Sequence, residues 1–268
     1  MTDPERDGLQ TVATLRFDGA ARATREDRVI EETPVALLYN GLSFAVMMAT
    51  PTDLEDFALG FALCEGIVER AEEFRLVDRV SHANGIALHA AIPQPRFDAL
   101  AQRQRSIEGR SGCGLCGVSS LDDALRPPRR VGDGPRLSAD EIQAGLARLS
   151  RSQHLNALCG GAHAAGFVVG DDVLVREDVG RHNAVDKVVG AMHRASAFAS
   201  RDAGFLAVTS RASYEIVQKA ANAGIAVVAA ISAPTALAIE RAQDAGITLI
   251  AFARDGRMNV YSAPERIV

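Results

Sequence analysis

The chain has 268 residues, 47% of them hydrophobic and 24% charged, with a formal net charge of −5, no tryptophan and four cysteines. That is enough apolar material for one large domain or two modest ones, and the acidic balance with few aromatic residues argues against a nucleic-acid partner. No apolar run is long enough for a membrane span, and the polar start "MTDPERDGLQ" lacks a signal segment, so the expectation is a cytoplasmic protein with reduced thiols.

In chain order, residues 1–10 read as a loose tail, and "VATLRFDG" and "RVIEE" as short strands. In "PVALLYNGLSFAVMMATP" two apolar runs meet at Asn40-Gly41, a pair that favours a tight hairpin. Thr52 and Glu55 have capping-box spacing and predict a helix start. Leu54, Phe57, Ala58, Phe61 and Ala62 then share a face, Cys64 reads as core, and Gly66 as the stop. "FRLVDRVSHANGIALHAAIP" reads as a hairpin around Asn84-Gly85, and "FDALAQRQRS" as a short helix. Residues 11–106 thus read as a smaller α+β domain. Residues 107–136 form a cysteine-bearing loop and an exposed linker ending in "RPPRRVGDGPR".

Residues 137–268 read as the second domain. Ser138 and Glu141 form a capping box that opens a helix through about Arg151. "AAGFVVGDDVLVRED" is a hairpin around Gly170-Asp171, and "RHNAVDKVVGAMHRASAF" carries Val185, Val188, Val189 and Met192 at helical spacing. The strands "GFLAVTS", "IAVVAAIS" and "ITLIAFAR" alternate with the helices "SYEIVQKAANAG" and "PTALAIERAQDAG", the latter opening on its proline, before a last strand, "MNVYS". This order predicts an α/β fold with a mostly parallel sheet covered on both faces, and α+β architecture over the chain as a whole.

Two cysteines, Cys113 and Cys116, stand among glycines in "EGRSGCGLCGVSS". Structural metal, disulfide switch, nucleophile and sulfur carrier are the readings open to such a pair. A closed zinc site needs four ligands, and no second pair has matching spacing, so no metal site is expected. Gly112, Gly114 and Gly117 disfavour the helix that a thioredoxin-like pair opens, and favour a loop whose thiols suit disulfide or persulfide exchange.

"REDVGRHNAVDK" gathers Arg176, Glu177, Asp178, Arg181, His182, Asn183, Asp186 and Lys187 at one strand-to-helix junction. Acidic residues are ordinary at a helix N-terminus, but Arg181 and His182 are not, and a bound phosphate accounts for them. "TSRASYE", with Ser210, Arg211 and Ser213, and "FARDGRMN", with Arg254, Asp255, Gly256 and Arg257, follow strands at their carboxyl ends, where open α/β sheets bind ligands. Together the three junctions point to one large anionic ligand. "LCGGAHAAG" adds Cys159, Gly160, Gly161 and His163, where the glycines permit close backbone approach.

With these segments assembled, the sequence resembles the formate dehydrogenase accessory sulfurtransferases, the FdhD/NarQ family. The likeness runs through "NGLSFAVMMATPTDLEDFALGFALCEGI", "SGCGLCG", "GGAHAAG", "REDVGRHNAVDKVVG", "SRASYEIVQKAANAGI", "SAPTALAIERAQDAGITLIAFAR" and "GRMNVYS". It implies a sulfur carrier that takes persulfide sulfur from a cysteine desulfurase and passes it to the molybdenum cofactor of formate dehydrogenase, in its bis(molybdopterin guanine dinucleotide) form. It implies Cys113 as the persulfide carrier with Cys116 beside it, a C-terminal three-layer domain like cytidine deaminase, and a homodimer. Arg181, His182, Lys187, Arg211, Arg254 and Arg257 are the residues expected around the pyrophosphates, together with Asn183, Asp186, Ser210, Ser213, Gly160, Gly161 and His163. The turn formed by Phe252, Ala253, Arg254, Asp255, Gly256, Arg257 and Met258 is expected to meet the guanine dinucleotide.

The chain departs from the family at Cys159, where threonine is common, and at Thr209-Ser210-Arg211, where Ser-Gly-Arg is common. A zinc deaminase would need a histidine-x-glutamate and a Pro-Cys-x-x-Cys at helix starts, but those helices begin "RHNAVDK" and "SYEIVQK". A chaperone that holds the cofactor without sulfur transfer is the alternative, and it leaves Cys113 and Cys116 idle. A thiol–disulfide oxidoreductase would work without cofactor or desulfurase.

Overall fold

Asn40 and Gly41, both at positive φ (47° and 86°), turn the chain between strands β3 (Thr33–Tyr39) and β4 (Leu42–Ala49). Such a turn matches the twist of an antiparallel pair. In the computed structural model, which describes residues 7–108 and 127–268, this hairpin joins a second one made of β5 (Arg75–His82) and β6 (Gly85–Ala91). Parallel pairing of β3 with β6 gives the order β4-β3-β6-β5. Period-two alternation puts Val35, Leu37, Tyr39, Ile86, Leu88 and Ala90 into the core with helix α1 (Leu54–Cys64). Ahead of this sheet, β1 (Leu9–Asp18) and β2 (Ala21–Ile30) pair along their full length as a separate ribbon. The ribbon begins within the segment read as a tail.

Helix α1 does not open with a Thr52–Glu55 capping box. Its N-cap residue is Asp53, at φ 51°, whose side chain makes no cap bond. Thr52 Oγ1 instead lies 3.5 Å from Lys187 Nζ, and Glu55 pairs with Arg194 at 2.7 Å. Tertiary partners have taken both members of the box. The stop at Gly66 is as expected: Gly66 N–H donates to Leu63 O and Ile67 N–H to Ala62 O, with Gly66 at φ 64°. Helix α2 (Gln94–Glu108) is longer than the short helix expected. Cys113 and Cys116 lie outside the described residues.

Residues 127–136 carry no helix or strand, yet part of this linker is tied down. Val131 N–H donates to Ala245 O and Arg130 Nε to Asp244 O. Beyond it, the Ser138–Glu141 capping box is fully formed and opens α3 (Ala139–Arg151), followed by the short α4 (His154–Cys159).

The second sheet contains β7 (His163–Val169), β8 (Asp172–Asp178), β9 (Phe205–Val208), β10 (Val227–Ala230), β11 (Thr248–Arg254) and β12 (Arg257–Ser262), in the order β12-β11-β10-β9-β7-β8. Strands β8, β9, β10 and β11 run one way, while β7 and β12 run against them, so neighbours pair in parallel at the centre and antiparallel toward both edges. Ile142, Leu146 and Leu149 of α3 pack on Val168, Phe205, Ala207 and Ile250 on one face. Helices α5 (Arg181–Arg194), α6 (Tyr214–Ala223) and α7 (Ala236–Ala245) cover the other face, on Phe167, Leu206, Val208 and Leu249. Helix α7 starts after Pro234, not on it: Thr235 is the N-cap, and its hydroxyl accepts the Ala238 N–H at 3.2 Å.

Helix α1 packs directly on α5. A Cβ at Gly60 would stand 1.7 Å from the Asp186 carbonyl oxygen, and one at Gly190 would stand 1.9 Å from that of Asp56. Backbone meets backbone at both points, which only glycine permits. Through this contact the two halves share one continuous hydrophobic core.

Candidate anion-binding site

The sheet topology brings the carboxyl ends of β8, β9, β10 and β11, and the first residues of β7 and β12, to one edge. Helices α5, α6 and α7 start there too. Arg181, His182, His163, Ser210, Arg211, Ser213 and the Arg254–Arg257 turn therefore share that edge. From β11 to β7 there are three inter-strand steps, roughly 14 Å, room for an extended ligand.

Three residues expected to face a ligand lie beneath this edge. Lys187 Nζ is 2.7 Å from Asp178 Oδ2 and donates to Thr50 O at 3.0 Å. Asp178 also accepts the N–H groups of Thr50 (3.0 Å) and Gly180 (2.7 Å) and the Asn183 amide (2.9 Å). Asn183 donates in addition to Met48 O at 2.7 Å. Asp186 is buried against Lys219 at 2.9 Å, and burial pushes its carboxyl up to about 6 despite that ammonium. Cys64 lies beside it in the core, where desolvation raises its thiol well above the ordinary value. Asn183, Asp186 and Lys187 thus hold the junction in shape and do not line its surface.

On the surface, Arg181 and His182 meet an acidic partner that the sequence reading passed over. Glu215 Oε2 lies 2.8 Å from His182 Nε2, 3.4 Å from Ser213 Oγ and 3.9 Å from Arg181 Nη2. His182 in particular holds this carboxyl below its usual range. Arg181 Nε and His182 Nε2 are both buried and make no aligned hydrogen bond among the described residues, so the His182–Glu215 approach is one of proximity. His163 is half-buried, and desolvation, with Arg181 and His182 nearby, lowers its pKa. Helices α5 and α6 begin at Gly180 and Ser213 without a side-chain cap, so their first N–H groups remain available to an anion. Arg211 is exposed, whereas Ser210 is buried and its hydroxyl donates to Arg211 O at 3.0 Å.

At the far end of the edge, Phe252 and Ala253 together face the single residue Met258, a β-bulge. Phe252 sits at φ 52°, its N–H donates to Ser232 O at 3.1 Å, and the residue is 39% exposed. Ala253 and Met258 turn the other way, into the core under α3. Asp255 and Gly256, at φ 53° and 72°, complete a two-residue turn that leaves Arg254 and Arg257 exposed. Gly160 is exposed at the C-cap of α4, and Gly161 N–H points at Cys159 Sγ at 3.4 Å.

A cavity of about 780 Å³ lies elsewhere, beside the start of α1. Most of its charges are engaged with one another, Arg176 with Asp56 at 2.7 Å and Arg194 with Glu55 at 2.7 Å, and it lacks the uncapped starts of α5 and α6 that gather at the sheet edge. Among the described residues no group of three or more His, Cys, Asp or Glu side chains is placed to hold a metal ion. No helix among them is long and apolar enough to cross a membrane.

The residues missed in the sequence were Glu215 and Thr50. Glu215 stands in the first turn of a helix, where an acid is unremarkable. Thr50 has no local sequence signal, since its N–H, carbonyl and hydroxyl serve partners 128, 137 and 129 residues away: Asp178, Lys187 and Val179.

Comparison with known proteins agrees with this architecture. The sequence model of the FdhD/NarQ family matches residues 30–268. A protein of Xanthomonas axonopodis pv. citri named sulfur carrier protein FdhD is 50% identical over 273 aligned positions, spanning 100% of this chain and 96% of its own. The protein of the same name from Bordetella petrii is 47% identical, spanning 98% and 96%. A crystal structure of a candidate formate dehydrogenase accessory protein from Desulfotalea psychrophila superposes with a TM-score of 0.74 at 27% identity, over 97% of this chain and 99% of that one.

Proposed function

The chain belongs to the FdhD/NarQ family, and on that premise we propose that it is a cytoplasmic sulfur carrier acting through a cysteine persulfide. Its donor is a cysteine desulfurase. Its cargo is the bis(molybdopterin guanine dinucleotide) molybdenum cofactor, destined for formate dehydrogenase, and it works as a homodimer. The observation that carries the ligand half of this reading is the meeting, at one sheet edge, of two helix N-termini without side-chain caps, the guanidinium groups of Arg181 and Arg211, and the His182 imidazole. Pyrophosphate oxygens suit such a place. The exposed Phe252 and the Arg254–Arg257 turn offer a base-sized platform about 14 Å away.

In the chemistry proposed, the Cys113 thiolate attacks the outer sulfur of the desulfurase persulfide. A new S–S bond forms on Cys113, and the desulfurase thiolate leaves. Cys116 thiolate then attacks the inner sulfur of the Cys113 persulfide, forming a Cys113–Cys116 disulfide and releasing the outer sulfur as hydrosulfide for the cofactor. The two electrons come from the thiol pair, and a cellular dithiol must reduce the disulfide before the next round.

The test is intact-mass measurement after incubating the protein with a cysteine desulfurase and L-cysteine, with Cys113→Ala and Cys116→Ala in parallel. A gain of sulfur that disappears in Cys113→Ala supports the carrier. No gain in any form, with guanosine diphosphate still bound, leaves a cofactor-holding chaperone instead. A Cys116→Ala protein that sulfurates the cofactor over many turnovers refutes the disulfide step.

A further inference from the structure

Three of the groups proposed to grip a phosphate already converge on one atom of the protein itself. His182 Nε2, Ser213 Oγ and Arg181 Nη2 lie 2.8, 3.4 and 3.9 Å from the same oxygen, Glu215 Oε2. The helices that begin beside it, α5 and α6, lack side-chain caps, so this carboxylate stands where an incoming anion would stand. A phosphate cannot share the position, because two negative charges about 4 Å apart repel strongly at a partly desolvated edge. The Glu215 side chain is 52% exposed, so it has open solvent to swing into.

We infer that Glu215 is a resident counter-ion: it occupies the phosphate position of the empty edge, and a phosphate-bearing ligand binds by displacing it. This rests on the anion-site reading above and adds selectivity to it. A small anion gains only the contacts that Glu215 gives up. A dinucleotide that also holds the Phe252–Met258 turn keeps its phosphate at high effective concentration and wins the exchange. The site thereby stays closed to inorganic phosphate and open to a doubly anchored ligand.

Titration calorimetry on the full chain tests this, with guanosine diphosphate and inorganic phosphate as probes and Glu215→Gln, Glu215→Ala and Arg181→Ala as variants. Thermal melting establishes that each variant is folded, and the alanine variant stands in if the glutamine one is not. The expected result is that removing the carboxylate tightens guanosine diphosphate about tenfold, the effect of one lost like-charge contact. It also creates measurable binding of inorganic phosphate, and Arg181→Ala weakens both. If the wild type binds guanosine diphosphate and the Glu215 variants bind it equally or more weakly, Glu215 is no competitor. The inference then fails while the cofactor-holding reading stands. If the Glu215 variants bind inorganic phosphate but no form binds guanosine diphosphate, the counter-ion role holds and the guanine part of the proposed function fails. Binding of neither probe by any form overturns both.

Discussion

Lys187 Nζ lies 2.7 Å from Asp178 Oδ2, and neither side chain has any exposure to solvent. The pair does more than neutralise itself. Asp178 takes the Thr50 N–H and Lys187 the Thr50 carbonyl, so the chain leaving β4 is bolted to the end of β8 and to the middle of α5. The candidate site sits directly on this joint.

Breaking the joint from one side should be costly. Lys187→Met leaves Asp178 buried and unpaired, and such losses run to about 3–5 kcal/mol. Urea unfolding should show a drop of that size. Adding Asp178→Asn should recover part of it, because the uncompensated charge is gone.

The crossing of α1 and α5 makes a second prediction. Gly60→Ala and Gly190→Ala each drive a methyl group into a backbone carbonyl, of Asp186 and Asp56 respectively. Side-chain rotation cannot relieve either clash, so each should cost about 3 kcal/mol or more, the upper end of over-packing effects. A lowered thermal midpoint for both variants, with exposed Gly160→Ala losing much less at its positive-φ position, is the expected pattern.

Stability should fall on mild acidification. Desolvation lowers the pKa of His163 and His193 below the usual 6.5. The unfolded chain then binds more protons than the folded one, so this contribution is complete above about 6.5 and is lost as the pH drops toward the folded values. Asp186, with its carboxyl raised to about 6 by burial, works the other way: its ionisation costs stability as pH rises from its ordinary value toward 6. Between pH 6 and 7 the histidines should therefore dominate. Unfolding free energy measured across that window should rise with pH, and His193→Gln should flatten the slope.

Phe252 links strain to binding. A left-handed backbone costs a phenylalanine about 1 kcal/mol or more, and such positions tend to persist where function holds them. Phe252→Gly should leave the melting temperature level or higher. If the ring stacks on guanine, the same change should weaken guanosine diphosphate binding by about 1–3 kcal/mol. Unchanged affinity would remove Phe252 from the ligand platform.

How far the sequence reached is clear from two matching signals. Ser138–Glu141 and Thr52–Glu55 have the same capping spacing. The first forms its box, while in the second Thr52 turns toward Lys187 and Glu55 pairs with Arg194, 135 and 139 residues away. The turns at Asn40-Gly41, Gly170-Asp171 and Asp255-Gly256, the apolar strands, and the gathering of cations at strand ends were legible because they depend on neighbours within a few residues. By itself, then, the sequence determined which segments become strands and helices and which ends carry charge.

Only the tertiary structure decided which of those charges face out. Lys187, Asp186 and Asn183 looked like ligand groups and became buried supports, and Glu215 looked like an ordinary helix-start acid and became the partner of His182. The physical reason is that a charged side chain settles wherever an opposite charge or a free backbone group can repay its desolvation. In this chain those partners were brought close by the packing of α1, α5 and α6, from positions no local pattern could pair.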